Sequence, residues 1–330
     1  MGETDSVPPT ISDTSVHASG LVKRFGEVTA LDGLDLYVPG GTVLGLLGPN
    51  GAGKTTAVSI LTTLAEADGG SATVAGVDVA SNPREVRARI GLSGQYAAVD
   101  EHLTATENLE MIACLYGMPR RQARKRATDL IEQFRLSEAA DRPLKTFSGG
   151  MRRRIDLAGA LIADPPVLFL DEPTTGLDPR SRGELWDVIR ERVALGTTVL
   201  LTTQYLEEAD QLANEIVVID HGRAIAKGTA DELKRRVGGD HLDLRVRGAA
   251  AIASAEAALG RVATGPVRVR HDEGELSAPV AQGVEALSAV LRALEAEGVE
   301  ILDIALRRPT LDDVFMELTG HATTADEVTQ

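Results

Sequence analysis

The chain has 330 residues, 34 basic against 49 acidic for a net charge of −15, with 43% apolar and 25% charged residues. Such a length and balance describe a soluble globular protein of about two domains, and the acidic field repels a phosphate backbone unless a local basic patch overrides it, which disfavours generic nucleic-acid binding. The single cysteine, Cys114, excludes a disulfide framework and a multi-cysteine zinc site, as expected for a reducing compartment.

Residues 1–15 carry Pro, Thr, Ser and acid without the apolar segment of a leader and read as a disordered tail. Gly2 and Ser6 match the loose M-G-x-x-x-[ST] acylation pattern, which fixes too few positions to argue for an anchor. From Leu21 to Pro39 apolar and polar residues alternate, the period of a strand. Thr42 to Asn50 is an apolar run ending in turn formers, and Lys54 to Glu66 has helical spacing, giving strand, turn and helix in succession. Short strands are predicted over Ser71–Val79 and Ala88–Gln95, then a charged helical lobe over Thr104–Lys145. Pro166–Pro173 and Thr197–Gln204 read as buried strands on either side of an amphipathic helix, Arg180–Ala194; this alternation predicts a parallel sheet with right-handed crossovers. No stretch approaches ~18 uninterrupted apolar residues, so the chain is not expected to cross a bilayer itself.

Beyond a linker at 231–240 the pattern is strand (Leu242–Val246), helix (Ala250–Leu259), two strands around Asp272–Gly274, helix (Val284–Glu297), strand (Val299–Leu306) and a terminal helix (Leu311–Leu318). A βαββαβ order predicts a small α+β appendage of the ferredoxin-like kind over 241–320, and 321–330 read as a second tail.

Gly48 to Thr55, GPNGAGKT, satisfies G-x-x-x-x-G-K-[ST] and stands between a predicted strand and a predicted helix. Its backbone N–H groups would curl around a β-phosphate at the positive end of that helix, with Lys54 reaching the β and γ oxygens and Thr55 offering its hydroxyl to Mg²⁺. The ATP-binding stretch is therefore Gly48, Pro49, Asn50, Gly51, Ala52, Gly53, Lys54, Thr55 and Thr56. A P-loop serves many enzymes, and the second element decides. Leu168-Phe169-Leu170-Asp171-Glu172 sets two acids at the exit of a buried strand, Asp171 to hold the metal through water and Glu172 to polarise the attacking water as the catalytic base. Ser148, Gly149 and Gly150 in FSGGMRRR open a further helix, a second anion site in a chain with one P-loop. The economical solution is an ATP-dependent head-to-tail pair, in which Ser148 and Gly150 of one copy grip the γ-phosphate held by the other.

This order of motifs resembles the ATP-binding subunit of ATP-binding-cassette (ABC) transporters over residues 16–230, and implies a P-loop NTPase cassette with a parallel core sheet, an antiparallel β subdomain and a helical subdomain at about 100–150. By that resemblance Phe25 stacks on adenine, Gln95 touches Mg²⁺ and the attacking water, Asp178 communicates across the dimer, and the helical lobe receives a separate integral membrane permease. Two positions depart from the family pattern: Met151 stands where the signature has Gln, and Gln204 where the switch has His. Gln cannot titrate, but its amide still donates to a γ-phosphate, so catalysis is expected to survive. SGGMRRR, TTQYLEEAD and the tail RRPTLDDVFMELTG are similar to the anthracycline (daunorubicin/doxorubicin) resistance branch. That branch implies an ATPase peripheral to the cytoplasmic face of the membrane, powering efflux of an amphipathic antibiotic; export of a lipid or polysaccharide, or an ABC protein acting on ribosomes or DNA, are the alternatives.

Other features carry less. Arg120, Arg121, Arg124, Lys125 and Arg126 have helical spacing and read as a solvated face or a site for headgroups. Six scattered His show no zinc-protease spacing, and Trp186 reads as core. The TLDDVFMEL segment reads both as a capped helix closing the appendage and as a partner-binding helix, with Thr310 as its N-cap and Asp312 and Asp313 favouring its dipole.

Overall fold

Alternation near the N-terminus produces a long antiparallel hairpin. In the computed structural model, which describes residues 14–94, 99–236, 240–307 and 310–319, Thr14–Phe25 (β1) pairs with Val28–Pro39 (β2). β1 begins inside the stretch read as a tail because Thr14 and Val16 find partners in Pro39 and Val38. Val43–Leu47 (β3) is buried at all five positions and runs through the glycine loop into Lys54–Leu61 (α1). The helix stops short of the predicted Glu66 because Thr63 turns left-handed, with φ 64. Gly69–Val74 (β4) and Val77–Asp78 (β5) divide the predicted Ser71–Val79 strand at a turn where Ala75 and Gly76 both have positive φ. The strand predicted to begin at Ala88 begins at Ile90. A proline-initiated helix, Pro83–Arg89 (α2), occupies the preceding turn and Ile90–Ser93 (β6) follows it.

The helical lobe comprises Ala105–Leu115 (α3), opened by a Thr104/Glu107 capping box, Arg120–Gln133 (α4) and Gly149–Ala160 (α5). Val167–Asp171 (β7), Pro179–Ala194 (α6), Thr198–Thr203 (β8), Leu206–Leu212 (α7), Glu215–Asp220 (β9) and Arg223–Gly228 (β10) complete the cassette. A four-stranded sheet has the order β2-β1-β4-β5, and a six-stranded sheet the order β10-β9-β3-β8-β7-β6, parallel from β9 through β6.

Both faces of the larger sheet are covered, so successive residues go to different cores. Leu44 and Leu46 of β3, Phe169 of β7 and Leu200 of β8 pack with Ala57, Ile60 and Leu61 of α1 and with Leu34 and Leu36 of the antiparallel sheet. Val43, Leu168, Leu170, Val199 and Leu201 face the other way, toward Ile155, Leu157 and Leu185 of α5 and α6. Each fully buried Leu or Ile contributes about 1.5–3 kcal/mol over exposure. This double burial fixes the carboxyl ends of β3, β7 and β8 side by side, which is where a site forms in such sheets.

The chain divides into compact units at Lys227/Gly228. In the second, the segment read as a linker at 231–240 holds Ala230–Arg236 (α8). Thr229 N donates to Glu232 Oε2 (2.9 Å) and Glu232 N to Thr229 Oγ1 (3.2 Å), a capping box legible in GTADE. His241–Val246 (β11), Ala249–Gly260 (α9), Arg268–Arg270 (β12), Glu275–Pro279 (β13), Gly283–Ala296 (α10) and Ile301–Arg307 (β14) form a sheet of order β12-β13-β11-β14. That is the ferredoxin-like arrangement, with Leu242, Leu244, Val246, Leu276 and Ala278 packed on Ala255, Leu259, Val290 and Leu294 of the two helices.

Leu311–Thr319 (α11) closes the unit. Thr310 Oγ1 accepts from Asp313 N at 3.3 Å, and Asp313 accepts from Thr310 N at 2.8 Å and from Arg307 at 3.1 Å. Burial opposes the Asp313 charge, but the Thr310 hydrogen bonds and the Arg307 guanidinium outweigh it and hold this carboxyl below its ordinary range. Its contribution is therefore complete above the ordinary Asp range and is lost as acidification passes the lowered folded value. Thr310→Ala is expected to destabilise this unit by about 1 kcal/mol, read as an earlier urea midpoint.

Candidate active site

The glycine loop is held from behind. Ala52 accepts from Gly222 N at 2.9 Å, and Gly222 accepts in turn from Asp32 N at 3.0 Å, so β2 and the β9–β10 turn brace it. A Cβ at Gly53 would lie 2.4 Å from the Ala30 carbonyl, and φ there is 107°. At Gly48 a Cβ would meet the Ile219 carbonyl at the same distance. Glycine is thus a steric requirement at both ends of the loop.

Lys54, 4% exposed, donates to the carbonyls of Gly48 (2.7 Å) and Pro49 (3.1 Å) and lies 3.6 Å from Glu172 Oε1. Burial lowers the ammonium's pKa, and Glu172 and Asp171 oppose the shift. Thr55 Oγ1 donates to Asp171 Oδ1 at 3.3 Å, and Thr202 Oγ1 donates to the same oxygen. Glu172 follows directly with φ 49, a left-handed conformation uncommon for a non-glycine residue. Its N–H is held by the Thr202 carbonyl and hydroxyl, each at 3.1 Å, and Thr175 Oγ1 donates to its Oε2 at 3.4 Å. Lys54, Asp171 and Glu172 are buried and Thr55 is exposed at their rim, so two carboxylates, one ammonium and the Thr55 hydroxyl share a cradle at the carboxyl ends of three strands.

The structure brings Lys54, Thr55, Asp171 and Glu172 together as the sequence implied. Thr55 and Asp171 present adjacent hard oxygens of the kind Mg²⁺ takes. Among the described residues there is no group of three or more His, Cys, Asp or Glu that could hold a metal ion. Gln204 is half-buried immediately after β8, one residue beyond the Leu47–Thr203 pair. Gln95 lies outside the described residues.

Ser148 caps α5, its hydroxyl accepting from Met151 N at 3.3 Å; Ser148 and Gly149 are exposed, while Gly150 is buried against Ser181. Asp178 caps α6 through Ser181 N (3.0 Å) and Ser181 Oγ (2.6 Å), and those bonds lower its pKa. Phe25 is 56% exposed at the β1–β2 turn, with the Lys23 ammonium 5.4 Å from its ring centre. Trp186 is buried as expected, and its indole N–H donates to Glu208 at 3.4 Å; burial raises the Glu208 carboxyl's pKa.

Sequence reasoning missed Thr202, which holds Asp171 and Glu172 at once, and Arg153, one of three adjacent arginines. Helical periodicity alone does not pick out the latter, since positions 153 and 154 both stand three or four residues from Gly150 and Leu157.

A P-loop, a strand-end acid pair and a capped glycine helix on this two-sheet frame define a nucleotide-binding cassette. Comparison with known proteins agrees: the ABC transporter family matches residues 31–175, and the C-terminal domain of DrrA1-3-like ATP-binding proteins matches residues 228–319. The daunorubicin resistance ATP-binding protein DrrA2 of Streptomyces coeruleorubidus is 61% identical over 94% of this chain and 96% of its own length. The daunorubicin/doxorubicin resistance ATP-binding protein DrrA of Streptomyces peucetius is 52% identical over 93% of each. A solved ATP-binding subunit of an ABC transporter superposes with a TM-score of 0.62 at 29% identity, covering 68% of this chain and 93% of that one.

The chain belongs to the daunorubicin/doxorubicin resistance family of ABC ATP-binding proteins. It is an ATP-hydrolysing enzyme of a class that uses ATP with Mg²⁺, dimerises and works with membrane permeases. No helix among its described residues is long and apolar enough to cross a membrane.

Proposed function

We propose that this chain is the ATPase half of a drug exporter, seated on the cytoplasmic face of the membrane against a separate permease, and that the cargo is an amphipathic antibiotic of the anthracycline kind. The observation that carries the reading is the cradle in which Lys54, Thr55, Asp171 and Glu172 converge within hydrogen-bonding or ion-pair reach. The family's C-terminal domain and the names of the 61% and 52% identical relatives direct it to drug resistance and away from lipid export or ribosome work.

In this reading triphosphate occupies Gly48 to Thr56, and Lys54 exchanges the Gly48 and Pro49 carbonyls for phosphate oxygens. Mg²⁺, when bound, neutralises charge developing on those oxygens. Thr55 and Gln95 would hold it, with Asp171 acting through water. Glu172 orients and deprotonates the attacking water, Gln204 donates toward the γ-phosphate, and Phe25 stacks on the base. The exposed Ser148–Gly149 end of α5 offers its donors to the triphosphate of a second copy, with Asp178 near the seam. Two chains then close on two nucleotides, and closure drives the permease between its inward- and outward-facing states.

Ser148→Arg tests both halves of this. Purified wild-type chain is expected to show specific activity that rises with protein concentration. The variant should bind fluorescent ATP unchanged yet hydrolyse it at under about a tenth of the wild-type rate. In membrane vesicles holding the chain with its permease, ATP should drive daunorubicin uptake by wild type but not by the variant. Full hydrolysis by dilute Ser148→Arg protein would end the two-copy reading, and ATP-independent daunorubicin uptake would end the transport reading.

A further inference from the structure

The side chain of Arg153 is only 10% exposed, and it reaches out of α5 to the backbone on either side of the catalytic carboxylate. Nε donates to the Pro173 carbonyl at 2.7 Å, and Nη2 to the carbonyls of Asp171 and Glu172, each at 3.1 Å. Nη1 donates to the Gly94 carbonyl and meets Asp156 Oδ2 at 3.5 Å. Ser93 at the end of β6 donates to that same Asp156 oxygen at 2.6 Å. One planar fork therefore gathers three consecutive carbonyls of the bend that carries Glu172, together with the residue before Gln95.

The bend needs this. Glu172 holds φ 49, a conformation that costs a non-glycine residue of order 1–3 kcal/mol and persists only where its surroundings over-determine it. Thr202 holds the bend from β8 by the Glu172 N–H, and Arg153 holds it from α5 by the carbonyls. The acidic neighbours of the guanidinium are Asp156, Asp171, Glu172 and, from α7 beyond Gln204, Glu208. Arg153 also stands five residues after Ser148 on one continuous helix, about 7.5 Å along its axis. A rigid rod thus ends in Ser148 and grips, from its second turn, the strand exit bearing Glu172.

We propose that Arg153 is the positioning residue that ties the signature end of α5 to the catalytic carboxylate of its own chain. This rests on the reading above, in which Ser148 serves the opposing copy's triphosphate while Glu172 serves its own. When the opposing γ-phosphate draws α5 into place, Arg153 sets the Glu172 bend, so each site becomes competent only as the other is engaged. Lysine cannot replace it, because an ammonium lacks the planar fork that spans several carbonyls at once.

The test uses mixed dimers of differently tagged full-length chains. One chain carries Glu172→Gln, which still holds ATP opposite the other chain's Ser148, so the single live site consists of the other chain's P-loop and Glu172 with the Glu172→Gln chain's signature. Arg153→Lys is placed on one chain or the other. On the live chain it is expected to lower the single-turnover rate of hydrolysis about tenfold or more, with ATP affinity within about twofold. On the Glu172→Gln chain it should leave that rate within about twofold. An equal or larger loss from the Glu172→Gln chain would mean that Arg153 only shapes the signature loop, and no loss from either would mean that it positions nothing; both overturn the proposal. Two chains that each carry Arg153→Lys with Glu172→Gln should still dimerise in ATP by size exclusion, and monomers there would equally overturn it, as a general weakening of α5. Ser148→Arg on the Glu172→Gln chain is the separate control: undiminished hydrolysis in that pair refutes the two-copy reading itself, whatever Arg153 does.

Discussion

Glu172→Gln is expected to lower ATP hydrolysis by about 10²–10⁴-fold, the usual contribution of a general base, while the protein accumulates as an ATP-bound dimer. The change is isosteric and keeps an oxygen to accept from Thr175, so the bend fixed by Thr202 has no reason to relax. What disappears is the negative charge beside Lys54 and the capacity to take a proton from water. Phosphate release measured together with light scattering in MgATP separates the outcomes. A variant that turns over rapidly removes Glu172 from the role of base, whereas one that neither hydrolyses nor dimerises would show that the carboxylate supports the fold of the loop.

Lys54→Ala should have the other large effect, on binding. The ammonium is buried and donates to two loop carbonyls, so it is already aimed at the space the glycine backbone encloses. A charge-assisted hydrogen bond contributes about 1.5–3 kcal/mol, and Lys54 would make two such bonds to phosphate, so ATP affinity is expected to fall by at least about 10²-fold and hydrolysis to background. Equilibrium titration with a fluorescent ATP analogue measures this, and a circular-dichroism melt verifies that the variant is folded. Unchanged affinity would show that the backbone cradle suffices and that the lysine acts only on the bond being broken.

The sequence carried the cassette well where period and motif coincide. β3, β7 and β8 are short apolar runs buried on both faces, and the glycine loop has a steric reason at each end that its pattern already encodes. Elements without enough turns to show a period escaped: α2 and α7 have seven residues each, and α8 hid in a stretch whose charge and glycines suggested a linker even though its capping box was present. The site's second layer was harder to see. Thr202 lies in an apolar strand and acts through register opposite Asp171, a relation between segments that no local window contains. Arg153 is flanked by Arg152 and Arg154, a run of charge that reads as solvent-facing, and helical phase does not separate it from Arg154, which stands equally near Gly150 and Leu157; its partners lie at the exits of β6 and β7, far off in sequence. Asp178 reads from resemblance as a dimer contact, and its sequence context DPRS equally specifies the helix cap that the structure displays.

The chain has a single tryptophan, and its indole is bonded to Glu208 on the helix that follows Gln204. Excitation at the red edge of the indole band, beyond the absorption of the four tyrosines, therefore reports from one place, on the flank of the nucleotide chemistry. A shift of α7 against α6 would stretch that bond and change the emission, so stopped-flow mixing with ATP can time the rearrangement without a dye or an added reporter.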